Sequence, residues 1–224
     1  MLLADELSSR SCCEKFVIRT DPDFDADGVA MEFKLTYEGR LLGASTGRSR
    51  ASHKHEIRKA FHPQLKRLWN VHPILNNKKM DGPGVEPDPR LDVLASRFSV
   101  GDYNFVPLVT RDLHLLCGLH VLFLRPDAPG DILRSGDIDN RLKTLFDALR
   151  RPTETGEFGG YDQPDEDEKP FFCLLEDDSL VSQIAVETDI LLQDVGGRFD
   201  DNAARLVISV TLKPYMATWD NTGF

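Results

Sequence analysis

Cysteine is scarce in this chain: four among 224 residues, Cys12, Cys13, Cys117 and Cys173. None has the paired spacing of a zinc ribbon, and adjacent Cys12 and Cys13 do not suit an ordinary disulfide framework, so reduced thiols are expected. Apolar runs of membrane length are missing as well, which excludes a spanning helix from the expected structure. The opening residues, Met1-Leu2-Leu3-Ala4-Asp5-Glu6, have neither the basic flank nor the apolar stretch of a signal peptide. A soluble, cytoplasmic protein with no membrane partner is therefore expected. No internal repeat is visible, and a chain of this length can bury a core without covalent staples.

Positive charge is also in deficit, with 27 Lys and Arg against 37 Asp and Glu, a net charge of -10. A nucleic-acid ligand looks excluded at first, since affinity for DNA rests largely on cations that neutralise phosphates. Distribution changes that reading. From Lys34 to Lys79 there are eleven basic residues and only two acidic ones, Glu38 and Glu56, a local balance of +9. Such asymmetry marks either a polyanion-binding face on an acidic body or a solvated basic helix paired with acidic neighbours.

Along the chain, residues 1–30 read as an N-terminal extension. Its run Asp23-Phe24-Asp25-Ala26-Asp27-Gly28 superficially resembles a calcium loop, but the twelfth position is Lys34 instead of a bidentate acid, which argues against calcium. Alternation predicts a strand over Phe33 to Tyr37. A Gly- and Ser-rich connection, Gly43 to Ser52, leads into a helix whose stripe is Ile57, Phe61, Leu65, Leu68 and Trp69, with Pro63 expected to kink or divide it. His53, His55 and His62 on this helix read as solvent-exposed or phosphate-contacting, not as a metal site. Asn70 to Ser96, rich in Pro and Gly, reads as an insertion with a short helix from Pro89 to Ser96.

Phe105 to Thr110 and Leu113 to Leu124 are expected to form an antiparallel pair of strands. A helix with the stripe Leu142, Leu145, Phe146 and Leu149 follows. Thr153 to Lys169 is acidic, rich in Gly and Pro, and expected to be mobile. Strands are expected at Phe171 to Leu175, Leu180 to Glu187 and Leu206 to Leu212, with 215–224 as a tail. The class this predicts is α+β: a small mixed or antiparallel sheet packed with helices, in one domain over 31–214 with insertions near 70–100 and 153–169.

One constellation carries chemistry. Asp137-Ile138-Asp139-Asn140 opens a predicted helix, Lys143 sits one turn on, and Glu176-Asp177-Asp178 follows the long excursion. An Asp at a helix start is ordinarily a cap, and an Asp pair before a strand is ordinarily a turn. Together they supply hard oxygen donors from two elements, which suits Mg²⁺, an ion usually held by one or two carboxylates plus substrate phosphate. Lys143 and Asp139 would share one helix face, in reach of the same phosphate.

The segment Gly136-Asp137-Ile138-Asp139-Asn140-Arg141-Leu142-Lys143-Thr144-Leu145-Phe146-Asp147-Ala148-Leu149, with Leu175-Glu176-Asp177-Asp178-Ser179-Leu180-Val181 downstream, resembles the RusA family of Holliday junction resolvases. The family pattern is Asp-x-Asp-Asn, a Lys on the next turn, Asp-Ala-Leu, and a later Asp-Asp before a strand. The resemblance implies a RusA-like core and a homodimeric, metal-dependent endodeoxyribonuclease that cuts branched DNA in recombination and repair. By the same resemblance Asp137, Asp139 and Asp178 would bind Mg²⁺ or Mn²⁺, Lys143 would be the essential basic residue, and Asp177 a secondary acid. Arg48, Arg50, Lys54, Arg58, Lys59, Lys66 and Arg67 would then grip the DNA arms. This chain is longer than family members, and its insertions are expected to serve as protein-partner surfaces, or in the case of 153–169 as a lid over the basic groove. The competing reading is a RusA-fold nucleic-acid-binding or regulatory subunit without cleavage.

Overall fold

The computed structural model describes residues 31–43, 50–72, 75, 89–126, 137–193 and 201–218. The expected extension 1–30 with its acidic run, Cys12 and Cys13, most of the insertion after Asn70, and the last six residues lie outside them. Cys117 and Cys173 are buried free thiols. Among the described residues no helix is long and apolar enough to cross a membrane.

Two-residue alternation builds the larger sheet. In β1 (Met31–Arg40), Met31, Phe33 and Leu35 are buried while Glu32, Lys34 and Thr36 are exposed; β4 (Leu115–Arg125) and β7 (Ala203–Pro214) alternate in the same way. With β6 (Val181–Ile190) they form a sheet of order β1-β7-β4-β6. The central β7 is antiparallel to both neighbours, and β6 joins parallel to β4. A smaller sheet holds β2 (Ser99–Val100), β3 (Tyr103–Val109) and β5 (Phe171–Leu175), with β3 and β5 parallel. The α+β class therefore holds, with both sheets mixed.

One expected pairing fails: β3 and β4, read as an antiparallel pair, lie in different sheets. From Phe105 onward β3 is buried on both faces, the environment of a strand lying parallel to another inside the fold. Its nearly continuous apolar run carries no alternation to specify a hairpin face, so closeness in sequence was a poor guide. The intervening turn ends at His114, which has a φ of 51°.

Helix α1 (Ala51–Val71) is not divided at Pro63, although division was one of the two outcomes expected there. An interior proline costs about 3 kcal/mol. Ile57, Phe61, Leu65 and Leu68 are buried, each contributing roughly 1.5–3 kcal/mol, so the apolar stripe prevails. Helix α2 (Pro89–Arg97) falls where expected. Helix α3 (Asp137–Leu149) buries Ile138, Leu145, Ala148 and Leu149.

The acidic stretch 153–169, expected to be mobile, is a structured strap. It forms two 3₁₀ turns, Thr155–Phe158 and Glu166–Glu168, and docks on α1. Phe158, 1% exposed, completes an aromatic cluster with Tyr103, Phe105 and Phe171. Burial of that ring outweighs the loop-like composition around it. Gly159 follows with a φ of 62°, and a Cβ there would stand 2.0 Å from the Ser52 backbone nitrogen. Gly159→Ala should therefore lose roughly 2 kcal/mol or more, from the left-handed conformation and the backbone clash together. Urea denaturation reads this directly; an unchanged midpoint would mean the strap does not dock there.

Candidate functional site

The long excursion does not separate the two carboxylate segments in space. Its ends are pinned to each other, since Arg150 bridges Leu175 and the Arg151 N–H donates to the Leu175 carbonyl at 2.9 Å. Loop closure costs little more for a long loop than a short one, so the strap length is compatible with an assembled site. After β5 the chain turns through Glu176 and Asp177 into the 3₁₀ turn Asp178–Leu180, which lies against α3. Leu180 is buried in the main core and anchors that turn.

Asp139 and Lys143 are both exposed on one face of α3, one turn apart. Asp178 is exposed on the neighbouring turn. Among the described residues, the side chains of Asp139, Lys143 and Asp178 enter no hydrogen bond or ion pair. Several other acids are used: Asp147 holds Lys54 at 2.6 Å, Glu157 holds Arg150 at 2.9 Å, Glu168 holds Lys59 at 2.9 Å and Glu38 holds Arg205 at 2.8 Å, whereas Glu32, Glu154 and Asp162 have no such side-chain partner among the described residues. Glu176 and Asp177 are used as well. Glu176 Oε2 accepts the Arg111 backbone N–H at 2.9 Å, and Asp177 Oδ1 accepts the Ser179 N–H at 3.0 Å. Hydrogen bonds from Ser179, with Arg111 adding, hold the Asp177 carboxyl below the usual range.

The side chain of Asp137 lies outside the described structure. Among the described residues no three His, Cys, Asp or Glu side chains converge as a metal cage. The described donors are two exposed carboxylates, hard oxygen donors. Two unpaired carboxylates on adjacent elements match Mg²⁺, which keeps several waters and takes few protein ligands.

The expected DNA-gripping residues meet a different fate. Arg58 is 1% exposed and donates to the carbonyls of Arg150 at 3.1 Å and Asp147 at 2.9 Å, so it ties α1 to the end of α3 instead of facing solvent. Burial pulls its pKa to about 10, leaving it protonated at neutral pH. Lys54 is held by Asp147, Lys59 by Asp165 and Glu168, and Lys66 donates to the Asp167 carbonyl. Although burial works against its charge, the hydrogen bonds it donates to Asp165 and Glu168 hold Lys59 above its ordinary pKa. The strap thus pairs Lys59 and holds Lys66, while α3 and the residue after it hold Lys54 and Arg58. Arg50 precedes α1 with its Nε buried, Arg67 is exposed, and Arg48 lies outside the described residues.

The histidines are likewise corrected. His55 and His62 are buried, not exposed. His55 stacks among Tyr103, Phe158, Tyr161 and Phe171, and burial drives its pKa down to about 3. His62 Nδ1 accepts the Phe172 N–H at 2.9 Å, which leaves Nε2 to donate to the Asp167 carbonyl at 3.0 Å and fixes the neutral tautomer. Their spacing, seven apart with Arg58 between, places them on the buried side of α1; that periodicity was the available signal. Arg111 had none, because a lone arginine in a turn follows no motif.

No family model, curated protein or solved structure matches this chain.

Proposed function

We propose that the protein is a Mg²⁺-dependent, structure-selective DNA endonuclease that hydrolyses phosphodiesters in branched DNA such as Holliday junctions. One observation carries the reading: Asp139, Lys143 and Asp178 stand exposed on adjacent elements with no side-chain partner among the described residues, while Asp147, Glu176 and Asp177 nearby are engaged. Carboxylates left without a side-chain partner beside a lysine suit groups reserved for a ligand. Asp139 and Asp178, with Asp137, would hold Mg²⁺ or Mn²⁺, which when bound supplies charge neutralisation at the phosphate and an acidified water. Lys143, on the face of Asp139, would set its ammonium against the charge that builds on the phosphoryl oxygens. Hydrolysis adds water at phosphorus and breaks the bond to the 3′ oxygen, leaving a 5′ phosphate and a 3′ hydroxyl. A homodimer suits the near two-fold symmetry of a four-way junction.

A panel of synthetic four-way, flap, duplex and single-stranded DNA, incubated with protein and Mg²⁺ or with EDTA, tests this. Cleavage of branched substrates is expected with Mg²⁺ alone; cleavage of none of them rejects the reading. A second reading, a nucleic-acid-binding or regulatory subunit without cleavage, draws on the strap, whose Asp165 and Glu168 carboxylates occupy Lys59 and whose Asp167 carbonyl occupies Lys66. It predicts a stable complex with a partner protein through the insertions and no metal-dependent activity.

A further inference from the structure

Arg111 stands in the turn between β3 and β4, exposed, and touches the Glu176–Ser179 turn at three points. Its backbone N–H donates to Glu176 Oε2 at 2.9 Å, its Nη2 donates to Ser179 Oγ at 3.1 Å, and the same Nη2 lies 3.3 Å from Asp177 Oδ1. Every one of these contacts falls on a residue flanking Asp178, and none on Asp178 itself. The turn is tied from the other side too. The Glu176 N–H donates to the Val109 carbonyl at 2.9 Å, and the Leu180 N–H to the Asp177 carbonyl at 3.2 Å.

The arrangement is economical in what it leaves loose. Asp177, the neighbour that could compete with Asp178 for a cation, has Oδ1 committed to the Ser179 N–H and to the guanidinium. Ser179 is held through both its N–H and its hydroxyl. An exposed ion pair alone contributes little to stability, at most about 1 kcal/mol. The backbone contact to Glu176 is independent of the side chain, but the guanidinium itself holds Asp177 and Ser179, the residues immediately before and after one exposed carboxylate, and so fixes the direction in which that carboxylate is presented. Groups that orient a metal-binding side chain typically influence metal affinity or activity by about 10- to 100-fold when removed.

We propose that Arg111 is the positioning residue that presents Asp178 to the metal, by clamping the residues on either side of it. This rests on the endonuclease reading above and names the residue that sets the metal dependence of that site.

The test uses Arg111→Ala and Arg111→Lys in the full chain. Three quantities are read: the Mg²⁺ concentration for half-maximal junction cleavage, Mn²⁺ binding by calorimetry without DNA, and amide exchange at Ser179. Arg111→Ala should raise the Mg²⁺ half-saturation about 10-fold, weaken Mn²⁺ binding in step, and speed exchange at Ser179, while cleavage at saturating Mg²⁺ largely recovers. A lysine can pair with Asp177 but cannot reach Ser179 at the same time, so Arg111→Lys should fall between alanine and wild type. A purely structural role would lower the melting temperature and leave the metal dependence alone. Wild-type cleavage with an unchanged Mg²⁺ half-saturation and Mn²⁺ affinity in Arg111→Ala overturns the proposal while the endonuclease reading stands. No cleavage by wild type, with Mn²⁺ binding no tighter than in Asp178→Asn, removes both.

Discussion

Asp139→Asn is expected to abolish Mg²⁺-dependent cleavage of a four-way junction while leaving the fold and junction binding in place. The substitution removes one charged oxygen donor and little else, because Asp139 is exposed and has no partner among the described residues. A metal contributes several kcal/mol of transition-state stabilisation, and about 4 kcal/mol corresponds to roughly a thousandfold in rate. The structural cost is small by comparison. Asp139 lies in the first turn of α3, where a negative charge gains about 0.3–1 kcal/mol from the helix dipole. Single-turnover cleavage, a melting curve and a gel-shift titration separate the three effects. Asp178→Asn should behave alike, and the double variant should be little worse than either, since groups acting on one ion are not additive. Cleavage by Asp139→Asn within a few-fold of wild type would mean that the carboxylate is not a ligand.

The second large effect is a loss of stability in mild acid. Folded His55 holds no proton until about pH 3, whereas the unfolded chain takes one up near the ordinary value of 6.5. Below pH 6.5 the unfolded state therefore binds more protons, and stability falls by about 1.4 kcal/mol per pH unit from this residue, a loss on the order of 4 kcal/mol when integrated to pH 3. His62, whose pKa burial also lowers, acts in the same direction. Carboxylates with depressed pKa values, Glu157 and Asp177, contribute only below their unfolded values, so between pH 6 and about 4.5 the histidines dominate. Urea midpoints taken at half-unit pH steps should decline through that interval. A flat profile between pH 6.5 and 4.5 would contradict a neutral, buried His55.

These two effects differ in how far the residues announced them. The placement of Asp139 and Lys143 on one helix face and of Asp178 in a turn before a strand was legible, because a helix stripe and a strand pattern fix it without tertiary detail. The strands of the larger sheet were legible for the same reason: β1 and β7 alternate, and a half-buried sheet enforces that alternation. His55, Arg58 and the strap were not. Gly, Pro and acids in 153–169 have the composition of a mobile loop, and one ring, Phe158, reverses the outcome by entering an aromatic cluster assembled from β3, β5 and α1. Partners 89 and 92 positions apart, such as Arg58 with the carbonyls of Asp147 and Arg150, leave no trace in local periodicity. The β3 and β4 mispairing has the same origin, for the true neighbour of β3 is β5, beyond an entire helix and strap.

The docked strap also changes how this protein should respond to ionic strength. Each cation that neutralises a DNA phosphate releases counterions, so the logarithm of affinity falls with the logarithm of salt at a slope of about -0.9 per contact. Seven free cations in the basic segment would give a slope of roughly -6 from that segment alone. Lys54, Arg58, Lys59 and Lys66 are engaged inside the molecule, which among the described members of the set leaves Arg50 and Arg67 and a contribution of about -2 from them. Junction binding should therefore weaken between low and physiological salt far less than the charge of the segment suggests. Discrimination among DNA shapes would then fall to the few side chains around α3 and the clamped turn, and not to a broad electrostatic grip.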